Sequence, residues 1–393
     1  MINIHVETYT ASLNKKYEEL CGDRVKIVRN ADSCILVLAD GLGSGVKANI
    51  LATLTSEILS TMVAEGTTIE EAIQTITATL PVCRERGVAY STFIIVQIFY
   101  DGRVYLAEYD SPDVIFLQGS RAGTFEREIH VHSEKKVRDA HFMVEPGDRL
   151  ILFSDGIVHA GVGSILNFGW DKKEITQHLL TMQHYNDNAR TTTWNLLHAV
   201  NDLYQGLPGD DSTVAVAHIL EPKETMMMVG PPVNKEDDEV VARKLMSATG
   251  KKIVCGGTTS QIISRYLHEE IKMDDLLSFT GDVPPIARIK GIDLVTEGAL
   301  TIGKAVQYLE ECAKSRDYYE QFIEADRNDG AFLLAHTLLC DCTAVHFLLG
   351  TADNIAHASI NYSPISLSQK IKVIEKMGEE LKKLGKIVTI EKF

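Results

Sequence analysis

Residues 34 to 48 read CILVLADGLGSGVKA. Cys34 to Ala39 is an uninterrupted β-favouring run, which predicts a strand. Asp40 ends it, Gly41, Gly43 and Gly45 follow, and a helical pattern starts at once. Glycines let a backbone come close to an ion or phosphate, and the amide-rich start of the next helix favours an anion. An acid at a strand end beside such a loop suits metal-assisted phosphate chemistry. A strand, a Gly-rich turn and a helix also occur together with no function attached, so this stretch cannot decide alone.

Two further acidic turns point the same way. LILFSDG, Leu150 to Gly156, is another buried-looking strand that delivers Asp155 to a Gly turn. GDDSTVAV, Gly209 to Val216, sets Asp210 and Asp211 immediately before a β-branched strand. Three acids at the ends of apolar strands can meet at one place although they are far apart in sequence. Hard divalent cations such as Mg2+ and Mn2+ take such oxygen ligands.

In this order, DGLGSG, the SDG of Ser154 to Gly156, and DDSTV resemble the metal-dependent protein phosphatases, the PPM or protein phosphatase 2C-like superfamily. The closer resemblance is to the bacterial SpoIIE-like branch, which acts on phosphoserine in regulators of sigma factors. Gly22-Asp23 occupies the place of the family's N-terminal Gly-Asp, Ser91-Thr92 begins a strand as in the family, and Asp110-Ser111-Pro112 stands where an Asn/Asp-x-Pro turn is often found. The resemblance covers residues 1 to 220 or so and says nothing of the remainder. It implies a protein serine/threonine phosphatase that hydrolyses phosphoserine on a bacterial regulatory protein with two Mn2+ or Mg2+ ions. Carried onto this chain, it makes Asp40 the bridge between the ions, gives the Gly41 carbonyl to one of them, and completes one coordination sphere with Asp155 and Asp210. Asp211 is the alternative to Asp210, because the doublet leaves the register open. Asp23 is a candidate for the second metal or for supporting the ligands, set against a solvated turn acid. Eukaryotic members also use an N-terminal Arg on the phosphate; Arg24 and Arg29 do not sit in that pattern and are not assigned.

Composition bounds the rest. A chain of 393 residues fits two domains, and 45% hydrophobic with 24% charged residues is the profile of a soluble globular protein. The sequence has no apolar run of about 18 residues and no basic region followed by an apolar stretch at its start, so neither a membrane span nor a signal peptide is expected, and a cytoplasmic location is. Seven cysteines without framework spacing agree with a reducing compartment. A net charge of −15 argues against a nucleic-acid surface and for a protein partner.

Along the chain, residues 2 to 9 read as an edge strand, and Val25 to Val28 as a partner of Cys34 to Ala39, which sets Asp23 near the end of one strand and Asp40 at the end of its neighbour. Val46 to Val63 reads as a helix whose apolar face is Leu51, Leu54, Ile58 and Met62. Lys47, in its first turn, reads as solvated rather than as a phosphate contact. A second helix from Thr68 to Ala78, capped by Thr68, should end at Pro81. Strands are expected at 92–100, 104–109, 114–117, 140–144, 150–153 and 212–219, and helices at 172–182 and 191–204. The fold class is thus α/β: a PPM-type sandwich of two antiparallel sheets flanked by helices over residues 1 to 221, followed by a smaller α/β layered domain at 226 to 393.

In that second part, strands are expected at 226–229, 253–255 and 387–390. Helices are expected at 236–249, stopped by Gly250, at 260–267, and at 367–384, ended by Gly385. Gly256-Gly257-Thr258-Thr259-Ser260, between a strand and a helix, reads as an ordinary turn or an anion site; it lacks the Lys of a P-loop and the spacing of a dinucleotide fingerprint. His336, Cys340, Cys342 and His346 look like a zinc set, but on one helix two would face each way, so buried core is the expectation. The domain is expected to bind a small ligand or partner and to regulate the first, with a homodimer possible. Other readings of the whole are a catalytically degenerate PPM-fold scaffold and a nucleotide-binding enzyme that uses the Gly loops.

Overall fold

The computed structural model describes residues 3–79, 91–132, 135–163, 165–183, 188–273, 286–352 and 367–393. Pro81 lies outside them. The chain divides into two compact units, Met1–Glu221 and Pro222–Phe393.

The first unit opens with β1 (His5–Leu13), β2 (Asp23–Arg29), β3 (Ser33–Gly41), α1 (Gly45–Ala64) and α2 (Ile69–Thr79). There follow β4 (Ser91–Phe99), β5 (Arg103–Tyr109), β6 (Ile115–Gln118), β7 (Arg121–Ala122), β8 (Glu128–His132), β9 (Lys135–Met143) and β10 (Arg149–Phe153). It closes with α3 (Asp155–Val158), α4 (Lys172–Thr181), α5 (Ala189–Leu203) and β11 (Ser212–Leu220). One sheet has the order β2-β3-β4-β5-β9-β8, the other β1-β11-β10-β6-β7. Neighbours in both run antiparallel.

β3 shows why its sequence is unbroken in hydrophobicity. Cys34, Leu36 and Leu38 pack between the sheets with Leu150, Leu152, Ala215 and Ala217. Ile35, Val37 and Ala39, on the opposite face, pack under Ala52, Leu59, Ile73 and Ile76 of α1 and α2. A strand covered on both sides has no polar face to show, and each fully buried Leu or Ile contributes about 1.5–3 kcal/mol. On the outer face of the second sheet, Ile151, Phe153, Val214 and Val216 meet Leu196, Leu197 and Val200 of α5. Helices therefore flank a pair of antiparallel sheets, the sandwich expected from the sequence.

The packed face of α1 differs from the expectation. Its buried residues are Gly45, Ala48, Ala52, Thr55, Ser56, Leu59, Ser60 and Val63, whereas Leu54 is 53% and Ile58 37% exposed. Small side chains on the inner face let the helix lie close to the sheet, so the larger apolar residues are left outside. The α2 start is as read: Glu71 N donates to Thr68 Oγ1 at 3.2 Å and Thr68 N to Glu71 Oε2 at 3.4 Å, a reciprocal cap. β8, absent from the sequence reading, exposes Ile129 and Val131.

The second unit contains β12 (Glu224–Val229), a 3-10 turn (Lys235–Asp237), α6 (Asp238–Met246), β13 (Lys251–Cys255), α7 (Gly257–Leu267), β14 (Lys272–Met273), β15 (Ala287–Arg288) and β16 (Leu294–Thr296). Then come α8 (Ala299–Lys314), α9 (Arg316–Glu324), α10 (Gly330–Cys340), β17 (Ala344–Leu349), α11 (Leu367–Lys383) and β18 (Ile387–Lys392). The sheet order is β14-β15-β16-β13-β12-β17-β18. From β16 to β18 the strands are parallel; β14 and β15 are antiparallel additions at one edge. Met228, Val254 and Leu348 face α6 and α7 through Val241, Leu245, Ile262 and Ile263. Met227, Val229, Ile253 and Phe347 face α8, α10 and α11 through Leu309, Leu338 and Met377.

Two details correct the sequence reading. α6 ends at Met246, before Gly250. Gly250 is instead needed where the chain passes Glu224, whose carbonyl oxygen would stand 1.8 Å from an added Cβ. The four zinc-like residues do not share one helix: His336 and Cys340 are on α10, Cys342 follows it, and His346 is on β17 with Nδ1 2.7 Å from Thr389 Oγ1. No helix among the described residues is long and apolar enough to cross a membrane.

Candidate metal centre

The acids selected from the sequence stand at strand ends. Asp23 and Asp40 are direct cross-strand partners on β2 and β3. On the other side of β3, Asp40 pairs with Thr92 and Gly41 with Ser91, and Ser91 Oγ donates to the Asp40 carbonyl at 3.0 Å. Asp155 begins α3 directly after β10, and Asp210 precedes β11, which pairs with β10.

Electrostatics bring these positions together. Burial pushes the Asp40 carboxyl up to about 9, and the negative charges of Asp23, Asp155 and Asp210 push in the same direction. Asp155 is raised by burial and by Asp210, against His159 and a hydrogen bond with Asp40. Asp23, 5% exposed, is raised to about 7, mainly by burial, against hydrogen bonds with Ser154 and Thr213. Its Oδ2 is buried and has no hydrogen-bond partner. The two acids of the doublet differ in their partners. Asp211 is 5% exposed and accepts Lys15 N on Oδ1 at 2.9 Å and Gly22 N on Oδ2 at 2.8 Å. Asp210 faces Lys15 Nζ at 3.3 Å, with its side chain 41% exposed.

Crowded carboxylates, one with an orphaned buried oxygen, fit divalent cations in charge and donor type. Among the described residues, however, no three His, Cys, Asp or Glu side chains stand together as a ready-made metal set. Both Asp23 and Asp40 hold protons more tightly folded than unfolded, so the stability these two groups contribute to the metal-free protein is fully present below about pH 4 and is lost as pH rises through the folded values. The thermal midpoint of the metal-free chain is expected to fall by several degrees from pH 5 to pH 9, and Asp40→Asn to flatten that fall. A wild-type midpoint that held constant over this range would contradict the mutual repulsion.

Some supporting residues escaped the sequence reading. Lys15 and Glu18 come from the loop before β2; Glu18 Oε1 accepts Ser44 Oγ at 2.9 Å, tying that loop to the Gly-rich turn. Asn49 Nδ2 holds the Cys21 carbonyl at 2.8 Å, and Tyr204 Oη donates to the Gly156 carbonyl at 2.7 Å. Ser154 and Thr213 lay inside the quoted motifs, and their hydroxyls next to the acids were the available signal. Lys15 and Glu18 carry no local signature.

The sequence of residues 30–220 matches the family described as stage II sporulation protein E, SpoIIE. These residues are a SpoIIE-family domain. The SpoIIE domain's fold is also that of a solved structure, the PP2C phosphatase domain with a fragment of the regulatory domain of SpoIIE, a cell-fate determinant of Bacillus subtilis. The identity is 21% over 57% of this chain, with a TM-score of 0.50, and the match spans 66% of that structure's length. The phosphatase domain of the same protein in a crystal form without domain swapping is 21% identical over 56% of this chain and 95% of its own, with a TM-score of 0.45. RsbX in complex with magnesium is 19% identical over 56% of this chain and all of its own, with a TM-score of 0.41. No curated protein matches the sequence.

Proposed function

We propose that the SpoIIE domain is a metal-dependent protein serine/threonine phosphatase that hydrolyses phosphoserine on a regulatory protein. The observation that carries this reading is the convergence of Asp40, Asp155 and Asp210 from three separate strand ends, with Asp23 opposite Asp40. Two Mn2+ or Mg2+ ions held there would activate water and neutralise the phosphoryl oxygens. Asp40, whose carboxyl is raised by the charges of Asp23, Asp155 and Asp210, would be the ligand common to both ions, with Asp155, Asp210 and the Gly41 carbonyl completing the coordination. Asp210 is preferred over Asp211 because both oxygens of Asp211 already hold backbone amides. Asp211 thereby fixes the loop that carries Lys15 and Gly22, a structural task at the edge of the site.

The test is turnover of a small aryl phosphate and of a phosphoserine protein by the full chain with Mn2+ and with EDTA. Metal-dependent release of phosphate is expected; its absence on both substrates would leave the scaffold reading.

The second unit is proposed to regulate the first. Removal of residues after Glu221, at the polar junction between the units, is expected to change turnover on the phosphoprotein by several-fold. A fragment 1–221 with the rate of the full chain on both substrates, with and without the candidate ligands, would rule this out.

A further inference from the structure

The loop before β2 is tied to the acidic turn that precedes β11. Lys15 N and Gly22 N both donate to the Asp211 carboxylate, at 2.9 and 2.8 Å, and Lys16 N donates to the Pro208 carbonyl at 2.9 Å. Glu18 N closes the loop on itself by donating to the Lys15 carbonyl at 3.0 Å. Between them Tyr17 is held at a φ of +68°, a conformation that a bulky residue keeps only where its surroundings over-determine it. The backbone of Lys15 is thus fixed by contacts that do not involve its side chain.

That backbone delivers a cation to the acidic centre. Lys15 Nζ stands 3.3 Å from Asp210 Oδ1, the same oxygen that accepts Asp211 N at 3.1 Å. The next residue serves as a comparison, since the ammonium of Lys16 lies 6.0 Å from the centre of the exposed Tyr17 ring. An ordinary surface ion pair contributes little, because both side chains lose freedom in forming it and water screens the charges. The pair of Lys15 and Asp210 differs in two respects. Its ammonium hangs from a clamped backbone, and its carboxylate belongs to a crowd of acids: after burial itself, the charge of Asp210 helps to raise both Asp155 and Asp40. A positive charge on Asp210 therefore offsets part of the repulsion that a divalent ion would otherwise remove. The ammonium and the ion also want the same carboxylate, and two cations side by side repel.

We propose that Lys15 is a built-in competitor for the metal. In the metal-free protein its ammonium holds Asp210, a divalent cation takes that carboxylate only by displacing it, and Lys15 thereby sets the affinity with which the centre loads. The proposal rests on the metal-centre reading of the acids and adds a regulation of that same site.

The experiment is calorimetric titration of the full chain with Mn2+ at physiological ionic strength, after treatment with EDTA and dialysis. Lys15→Met keeps the length of the side chain and removes its charge, so Mn2+ should bind about three- to tenfold more tightly than to the parent. The thermal midpoint of the same variant without metal should fall by about 1–4 °C, because Asp210 loses its counter-charge. Lys15→Arg keeps the charge and should bind Mn2+ within about twofold of the parent. Lys16→Met removes an equal charge one residue away and should also stay within about twofold, because an exposed charge out of contact with the acids is screened. Affinity unchanged or weakened in Lys15→Met overturns the proposal, the weakened case making Lys15 a support that aims Asp210 at the metal. Equal tightening in Lys15→Met and Lys16→Met overturns it as well, since net charge alone then explains the gain. A parent chain that bound no Mn2+ would instead remove the metal centre itself, and the competition with it.

Discussion

Asp40→Asn is expected to lower Mn2+-dependent turnover of an aryl phosphate by about 10³-fold, the scale seen when one preorganised charge contact to a transition state is removed. Asparagine keeps the size and the position at the end of β3 but removes the charge that Asp23, Asp155 and Asp210 surround. The same change relieves repulsion in the metal-free protein, so its thermal midpoint at neutral pH should stay level or rise. That pairing separates lost ligation from lost folding. A variant that turned over within about threefold of the parent would sink the assignment of Asp40. One that lost activity and also melted early would make Asp40 a structural acid.

Gly156→Ala is expected to destabilise the first unit by about 3 kcal/mol or more, a fall of about 6–12 °C in its midpoint. Gly156 follows Asp155 and lies against the start of β11: an added Cβ would stand 2.1 Å from the Asp211 carbonyl oxygen and 2.6 Å from Ser212 Oγ. Backbone at a strand start cannot yield as a flexible side chain can. The methyl must therefore push apart the turns that carry Asp155 and Asp210, and Mn2+ affinity should fall with stability. Gly303→Ala is the control. Gly303 lies inside α8, where an added Cβ meets nothing within 4 Å, and alanine should stabilise the helix by about 0.5–1 kcal/mol. Equal midpoints for Gly156→Ala and the parent would show that the contact between the two acidic turns is looser than these distances require.

By itself, the sequence determined the strand ends and the acids on them. An apolar run that stops at Asp40 can be read locally, because a strand buried on both faces needs no alternation and an acid ends it; the same holds for Phe153 before Asp155. The opposition of Asp23 and Asp40 was also legible, since a short polar turn between two strands fixes their register. The packed face of α1 was not. Periodicity alone offered Leu54 and Ile58, and the choice fell to Ala48, Ala52 and Ser56 because close approach to the sheet rewards small side chains, a property of the space between elements. The division of labour within the Asp doublet was equally out of reach: Asp211 is held by amides of Lys15 and Gly22, almost 200 residues earlier in the chain. In the second unit the sequence carried the alternation of strands and helices, while the strand order that places Gly230, Gly256, Gly298 and Gly350 on one edge arises only when β17 returns to the far side of β12. Local residue patterns set where elements start and stop; which side chains share a site is set by long-range packing, because those contacts join segments that no short window of sequence contains.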